Sequence, residues 1–310
     1  TINKLFLIIT VISALLLTTG CDLFIKTNKG QVDQKWYMGL TYEDDNGNDT
    51  DYTIGTDGTI AAVALEDGYG DEFGIIKGEE AYLNINTIIK NIDKRFYVDA
   101  TNNLVMFTDA TKTYKTKIGG KTINETENTD YVISFMDGKN CYVNVKFVKK
   151  YVDFDYKVVK AEGKSPARIV LKYTSGEKNQ MTVKSNIEMR TKADYQNLIV
   201  TTLKKNTKVT VLEESGDWTK VGTDDGFMGY VPAKKLKDKE TKKTEFKSDA
   251  DTYTHVLMNK KISLGWNAIT NLTANGNLET IIEHTKGLNV ISPTWYSLSD
   301  NKGNLRSYAS

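Results

Sequence analysis

A four-residue phrase occurs twice, and that repetition limits the possible folds more than any other feature of the chain. Tyr82-Leu83-Asn84-Ile85 returns as Tyr142-Val143-Asn144-Val145, sixty residues on. The same offset carries Ile88 onto Val148, Lys90 onto Lys150, Ile92 onto Val152, Asp93 onto Asp153 and Val98 onto Val158. Leu104-Val105-Met106-Phe107 then finds an echo in Ile169-Val170-Leu171, after a small insertion. Self-similarity at a fixed offset marks a repeated supersecondary unit. Ile85, Ile88, Ile89 and Ile92 fall at helical spacing, as do Val145, Val148 and Val152. Each copy reads strand, short helix, then two strands joined by a turn: a duplicated β-α-β-β module.

The text around the repeat is strand-like. Tyr is abundant (17) and Pro rare (3), which favours strands. From Trp36 to about Phe73, short runs alternate with the turn signals Asp45-Asn46-Gly47, Asp57-Gly58 and Asp67-Gly68. The acidic cluster Asp44 to Asp51 lacks the order and spacing of a calcium loop and reads as a solvated hairpin. Residues 22–34 are polar and read as a tether. Cys141 alternates with Val143, Val145 and Phe147, so these are expected on one apolar strand face, with the thiol buried.

Composition removes several function classes. The 41 basic and 40 acidic side chains leave a net charge of +1, which supplies no field for gathering nucleic acid, and no nucleic-acid partner is expected. Two histidines cannot supply three imidazoles to zinc, and two cysteines cannot build a disulfide scaffold. No cofactor is implied.

Three resemblances follow from motifs. Tyr82-Leu83-Asn84, Arg95-Phe96-Tyr97-Val98-Asp99 and Tyr142-Val143-Asn144 with Phe147-Val148 make residues 35–178 resemble the small domain named for the N-terminal region of copper amine oxidases. The resemblance implies an envelope surface module and no copper chemistry, because the region has no histidine. Residues 180–237 resemble a bacterial SH3 domain. The motifs are Ile187-Glu188-Met189-Arg190, Val209-Thr210-Val211-Leu212, Gly216-Asp217-Trp218-Thr219-Lys220-Val221 and the closing Gly229-Tyr230-Val231-Pro232. A small SH3-like β-barrel is implied, in which Trp218 and Tyr230 line a groove for peptidoglycan peptides or, equally, Trp218 caps the core. Residues 238–255 belong to a Lys-rich stretch without apolar periodicity, which reads as a linker.

The third resemblance covers residues 256–310. A strand at Lys261–Asn267, a helix over Asn277–Lys286 stopped by Gly287, and a strand at Leu288–Tyr296 form one β-α-β unit with parallel strands. Ile262-Ser263-Leu264-Gly265-Trp266 and Gly287-Leu288-Asn289-Val290-Ile291-Ser292-Pro293-Thr294-Trp295 are similar to the opening of the glycoside hydrolase family 18 barrel. The segment is then the first unit of a TIM-type (β/α)8 barrel that needs roughly 250 residues. The resemblance places sugar at the carboxyl ends of the strands, where Trp266, Trp295 and Tyr296 fall. They stack on sugar rings or else pack the barrel rim. The family's Asp-x-x-Asp-x-Asp-x-Glu motif, which supplies its general acid, is absent from the chain.

The first 21 residues read as an export signal. An apolar run from Leu5 to Leu17 would span roughly 20 Å as a helix, short of the about 30 Å of a bilayer core. Thr18-Thr19-Gly20-Cys21 resembles a bacterial lipobox, which makes Cys21 the lipidated first residue of an exported, membrane-anchored chain. The expectation is a multidomain protein, mainly β and α+β, anchored in the cell envelope, that binds peptidoglycan or another N-acetylated glycan and positions a family 18-like glycoside hydrolase barrel, or else a non-catalytic peptidoglycan-binding surface lipoprotein.

Overall fold

The computed structural model describes residues 27–55, 57–248 and 260–309. The chain divides into two compact units, with the boundary at Asp251. It is built mostly of strands with few helices. Cys21 and His255 lie outside the described residues. Among the described residues no helix is long and apolar enough to cross a membrane.

The first unit is organised by a mixed seven-stranded sheet. Its spatial order is Ser134–Asp137, Asn140–Asn144, Glu80–Asn84, Gly74–Lys77, Thr59–Ala64, Ala167–Lys172, Asp155–Val159. All neighbours are antiparallel except Ala167–Lys172, which runs parallel to Thr59–Ala64. The two copies of the repeated phrase lie side by side as the second and third strands of the sheet, with Tyr142 opposite Asn84 and Asn144 opposite Tyr82. The repeat has a local physical cause. Each phrase is a strand ended by asparagine, and each carboxamide oxygen accepts a backbone N–H of the following helix, Asn86 N at 2.9 Å and Lys146 N at 2.9 Å. The amide ends, fully buried, donate to carboxylates, Asn84 to Glu72 at 3.3 Å and Asn144 to Glu80 at 2.9 Å. Helical turns then follow at Ile85–Thr87, continuing as a π-turn through Ile88–Ile92, and at Val145–Tyr151.

Both faces of this sheet are buried, and alternation assigns its residues to one side or the other. Ala61, Val63, Leu83, Val143, Ile169 and Leu171 face the helical turns and the three-stranded sheet of Phe96–Asp99, Leu104–Thr108 and Thr113–Lys117. Ala62, Ile75, Tyr82 and Tyr142 face the opposite way, into a core shared with a second sheet. A strand buried on both faces needs a continuous apolar run, which Ile60 to Leu65 supplies.

The second sheet has the order Ile199–Leu203, Ile187–Arg190, Met228–Pro232, Trp218–Gly222, Lys208–Ser215, Gly176–Val183, Leu236–Thr244. It bends round Val183, Met189, Val200, Leu203, Val209, Val221, Val231 and Leu236.

The structure corrects several expectations. Cys141 and Val143 do share a face, but the strand stops at Asn144, and Val145 and Phe147 reach the same core from the capped helix. The proposed echo of Leu104–Phe107 in Ile169–Leu171 links strands of two different sheets. Trp36 lies in a short helix, Gln34–Tyr37, because the Asp33 carboxylate accepts the N–H groups of Lys35 and Trp36. Residues 28–34, expected as a free tether, lie along the second sheet: Val32 N donates to Ile199 O and Ile199 N to Gly30 O, both at 2.9 Å. The stretch expected as a linker begins inside a strand, Leu236–Thr244, paired along Gly176–Val183. Its lack of apolar periodicity reflects exposure, since almost the whole strand is in solvent. Backbone pairing holds such a ribbon, and lysines suit a sheet edge.

The second unit contains two parallel strands, Leu264–Asn267 and Val290–Pro293, with Trp266 opposite Ser292. Helical turns at Leu272–Gly276 and Leu278–Glu283 lie between them in the chain. An antiparallel hairpin, Tyr296–Leu298 with Leu305–Ser307, follows. Ile269 is the one buried hydrophobic side chain among the described residues of this unit.

Candidate functional site

Alternation on two strands sorts the candidate groove residues. Thr219, Val221 and Val231 point into the core of the second sheet. Trp218, Lys220 and Tyr230 point outward. Trp218 lies opposite Pro232 and Lys220 opposite Tyr230, so Trp218 and Tyr230 are diagonal neighbours on one outer face. Gly229, next to Tyr230 and opposite Val221, has no room for a side chain. A Cβ there would lie 2.6 Å from the Arg190 carbonyl oxygen and 2.7 Å from Met189 Cγ. This close approach gives the Gly-Tyr-Val-Pro motif its physical reason.

Each aromatic has a neighbour that the sequence reading did not include. The Trp218 ring meets Tyr195 edge-on at 4.8 Å. Tyr230 lies beside Tyr37, whose phenol is pushed up to about 12 by burial and, secondarily, by Tyr230. The Tyr37 hydroxyl donates to Met228 O at 3.1 Å. Lys220 reaches from the same face to donate to Asp67 O at 2.8 Å. The outer face therefore narrows at Tyr230, while Trp218 and Tyr195 are both half-buried against each other.

Beside it lies a cleft of about 390 Å³, between the leading segment and the 191–198 loop. Val32, Trp36, Tyr37 and Leu198 supply its apolar wall; Thr191, Lys192, Gln196 and Asn197 supply polar groups. Trp36 is 56% exposed. Buried Arg190 fixes both sides. One guanidinium nitrogen donates to Asn28 O at 2.9 Å and to Asn197 O at 2.6 Å, while the other pairs with Glu188. Gln34 adds a donation to Val200 O at 2.7 Å. The cleft is thus framed before any ligand arrives.

A second buried arginine joins this region to the first sheet. Arg168 donates to Asp225 O at 2.6 Å and Pro166 O at 2.8 Å, and its guanidinium lies 4.3 Å from the centre of the Phe227 ring. The Tyr69 hydroxyl donates to Gly226 O at 3.0 Å and accepts Met228 N–H at 3.2 Å. The turn before the Gly-Tyr-Val-Pro strand is clamped on the first sheet by these contacts.

In the second unit Trp266 is 81% exposed and Tyr296 59%. Trp295 is half-buried, its indole N–H donating to Asn275 Oδ1 at 2.6 Å. No ring contact joins the three among the described residues. His284 Nδ1 lies 2.7 Å from Thr280 O, inside its own helical turn. Cys141, a buried thiol, is pushed up to about 11 by burial alone.

Residues 185–237 match the family model described as bacterial SH3 domain. No curated protein and no solved structure matches the chain. The SH3 domain of this chain therefore takes in the five strands of the second sheet from Ile187–Arg190 to Met228–Pro232, with Gly176–Val183 and most of Leu236–Thr244 outside the match, and the groove candidates Trp218 and Tyr230 both lie within it. Sequence reasoning missed Trp36, Tyr37 and Tyr195. Asp33 standing just ahead of Gln-Lys-Trp-Tyr was the available signal, since aspartate there starts a helix.

Proposed function

We propose that this chain is an envelope-anchored surface protein whose bacterial SH3 domain holds cell-wall peptidoglycan. The observation carrying the proposal is the outer aromatic face, Trp218 with Tyr195 and Tyr230, on a stretch that matches the bacterial SH3 family. Aromatic side chains offer large contact area with little rotamer entropy to lose, which suits the apolar C–H faces of an otherwise polar polymer. On this reading Cys21 carries the lipid that keeps the domain near the wall. Residues 35–178 form a duplicated module of the copper amine oxidase N-terminal type, serving as a rigid stand for the SH3 domain. The side-by-side capped strands at Asn84 and Asn144 support the duplication.

Residues 256–310 are read as the opening β-α-β unit of a family 18-like glycoside hydrolase barrel, placed by the SH3 domain on N-acetylated glycan. The parallel pairing of Leu264–Asn267 with Val290–Pro293 supports this. So do the exposed apolar side chains Ile262, Leu264, Leu272 and Leu298, which suit packing against further strands and helices. Trp266, Trp295 and Tyr296 are its sugar-contacting candidates. Because the acidic motif is absent from these residues, the role assigned to them is binding and placement.

The test is co-sedimentation of the full chain with purified peptidoglycan. The wild-type chain is expected in the pellet and the Trp218→Ala/Tyr230→Ala variant in the supernatant. A wild-type chain that stays in the supernatant removes the proposal.

A further inference from the structure

Resting on the wall-binding reading above, we infer that the cleft between residues 32–37 and the 191–198 loop is a separate seat for a single saccharide ring of an N-acetylated glycan. The matched SH3 stretch supplies only one wall of this cleft. The other comes from the leading segment, outside residues 185–237.

Three observations select a sugar. The first is shape: about 390 Å³ lies near the lower end of the small-ligand range of roughly 300–1,000 Å³, too small for a folded partner. The second is the wall. Trp36 offers an exposed indole, backed by Tyr37, Val32 and Leu198. A pyranose has an apolar C–H face that lies flat on such a ring. The third is the polar complement. Thr191, Gln196 and Asn197 carry hydroxyl and amide groups, which both donate and accept, as ring hydroxyls and an N-acetyl group require. Among the described residues no carboxylate lines the cleft, and Lys192 is the only cationic side chain lining it. A neutral ring with one polar edge fits that balance; a cationic ligand does not.

The frame makes the seat preformed. Arg190, 1% exposed, holds Asn28 O and Asn197 O on the two sides with one nitrogen. Binding therefore does not have to order either wall, and that lowers its entropic cost.

Calorimetry of the full chain with the N-acetylglucosamine tetramer, which contains no peptide, tests the inference. Saturable binding is expected, weakened about tenfold or more in Trp36→Ala and partly kept in Trp36→Phe, the loss following from the apolar area that the indole buries. Since Trp36 is a surface side chain, unchanged circular dichroism should accompany the loss. In nitrogen-resolved spectra the Trp36 indole N–H signal should move on titration. Binding that survives Trp36→Ala would place the sugar elsewhere and overturn the inference. So would a Trp36-dependent response to a wall stem peptide with none to the tetramer. A chain that pellets with peptidoglycan yet ignores the tetramer would overturn this seat while leaving the wall-binding proposal standing.

Discussion

Gly226 is the point where the SH3 domain meets the first sheet, and Gly226→Ala tests whether that contact is structural. Its φ is +86°, in the region that side chains with L chirality avoid. An added Cβ would lie 2.8 Å from Val170 Cγ2 and 3.1 Å from Ala64 Cβ, on two strands of the first sheet. Left-handed backbone costs a residue other than glycine about 1–2 kcal/mol. Overpacking a close contact adds about 1–3 kcal/mol. The sum is about 2–5 kcal/mol, a large share of the about 5–15 kcal/mol that holds a domain together. For a unit of this size that lowers Tm by roughly 5–15 °C. Gly216→Ala is the internal control. Its φ is +58°, but nothing lies within 4 Å of an added Cβ, so only the backbone cost of about 1–2 kcal/mol applies. Urea unfolding followed by near-ultraviolet circular dichroism reads both variants. Equal losses for the two glycines would refute the reasoning, because the packing against Val170 and Ala64 would then contribute nothing.

Arg190→Met should cost about 1–3 kcal/mol, since the Asn28 and Asn197 carbonyls lose their buried donor while Glu188 keeps Lys29 as a partner. Limited proteolysis should then cut before Val32, and an uncut segment would contradict the clamp. Burial alone raises the Glu66 pKa, but bonds from Lys178 and from the Thr174 backbone outweigh it and hold the carboxyl below its ordinary value. A group lowered on folding stabilises above its unfolded-state pKa, and that contribution disappears as pH falls through the folded value. Glu66→Gln should therefore lower stability at pH 7 and flatten the decline below about pH 4, as read by urea midpoints across pH. Cys141 should stay unreactive to a thiol reagent at pH 8 until denaturant is added, because its pKa of about 11 leaves almost no thiolate; labelling of the native chain at the rate of free cysteine would contradict its burial.

What could be read from the sequence was local and periodic. Alternation at Trp218–Gly222 was legible because one face meets a core and the other is only half-buried, whereas Met228–Pro232 is buried on both faces except at Tyr230. The asparagines of the repeat were visible as a pattern, although their cause, a strand end that also caps a helix, needed coordinates. The segments that failed were polar ones held by backbone. Leu236–Thr244 is a strand with little apolar content, and Gly30–Val32 joins Ile199 through main-chain hydrogen bonds. Main-chain bonding leaves no side-chain signature. The candidate site suffered for the same reason. Trp218 and Tyr230 were found within one domain, while Trp36 reaches the cleft across more than a hundred residues of intervening chain.

The central claim is that wall polymer is held on the outer face of the SH3 domain. Titrating the isotope-labelled full chain with soluble muropeptide tests it most directly. The account predicts that the largest shifts fall on the Trp218 indole and on the backbone amides of Tyr195 and Tyr230. Shifts confined to residues 260–309, or no shifts at saturating ligand, would contradict it.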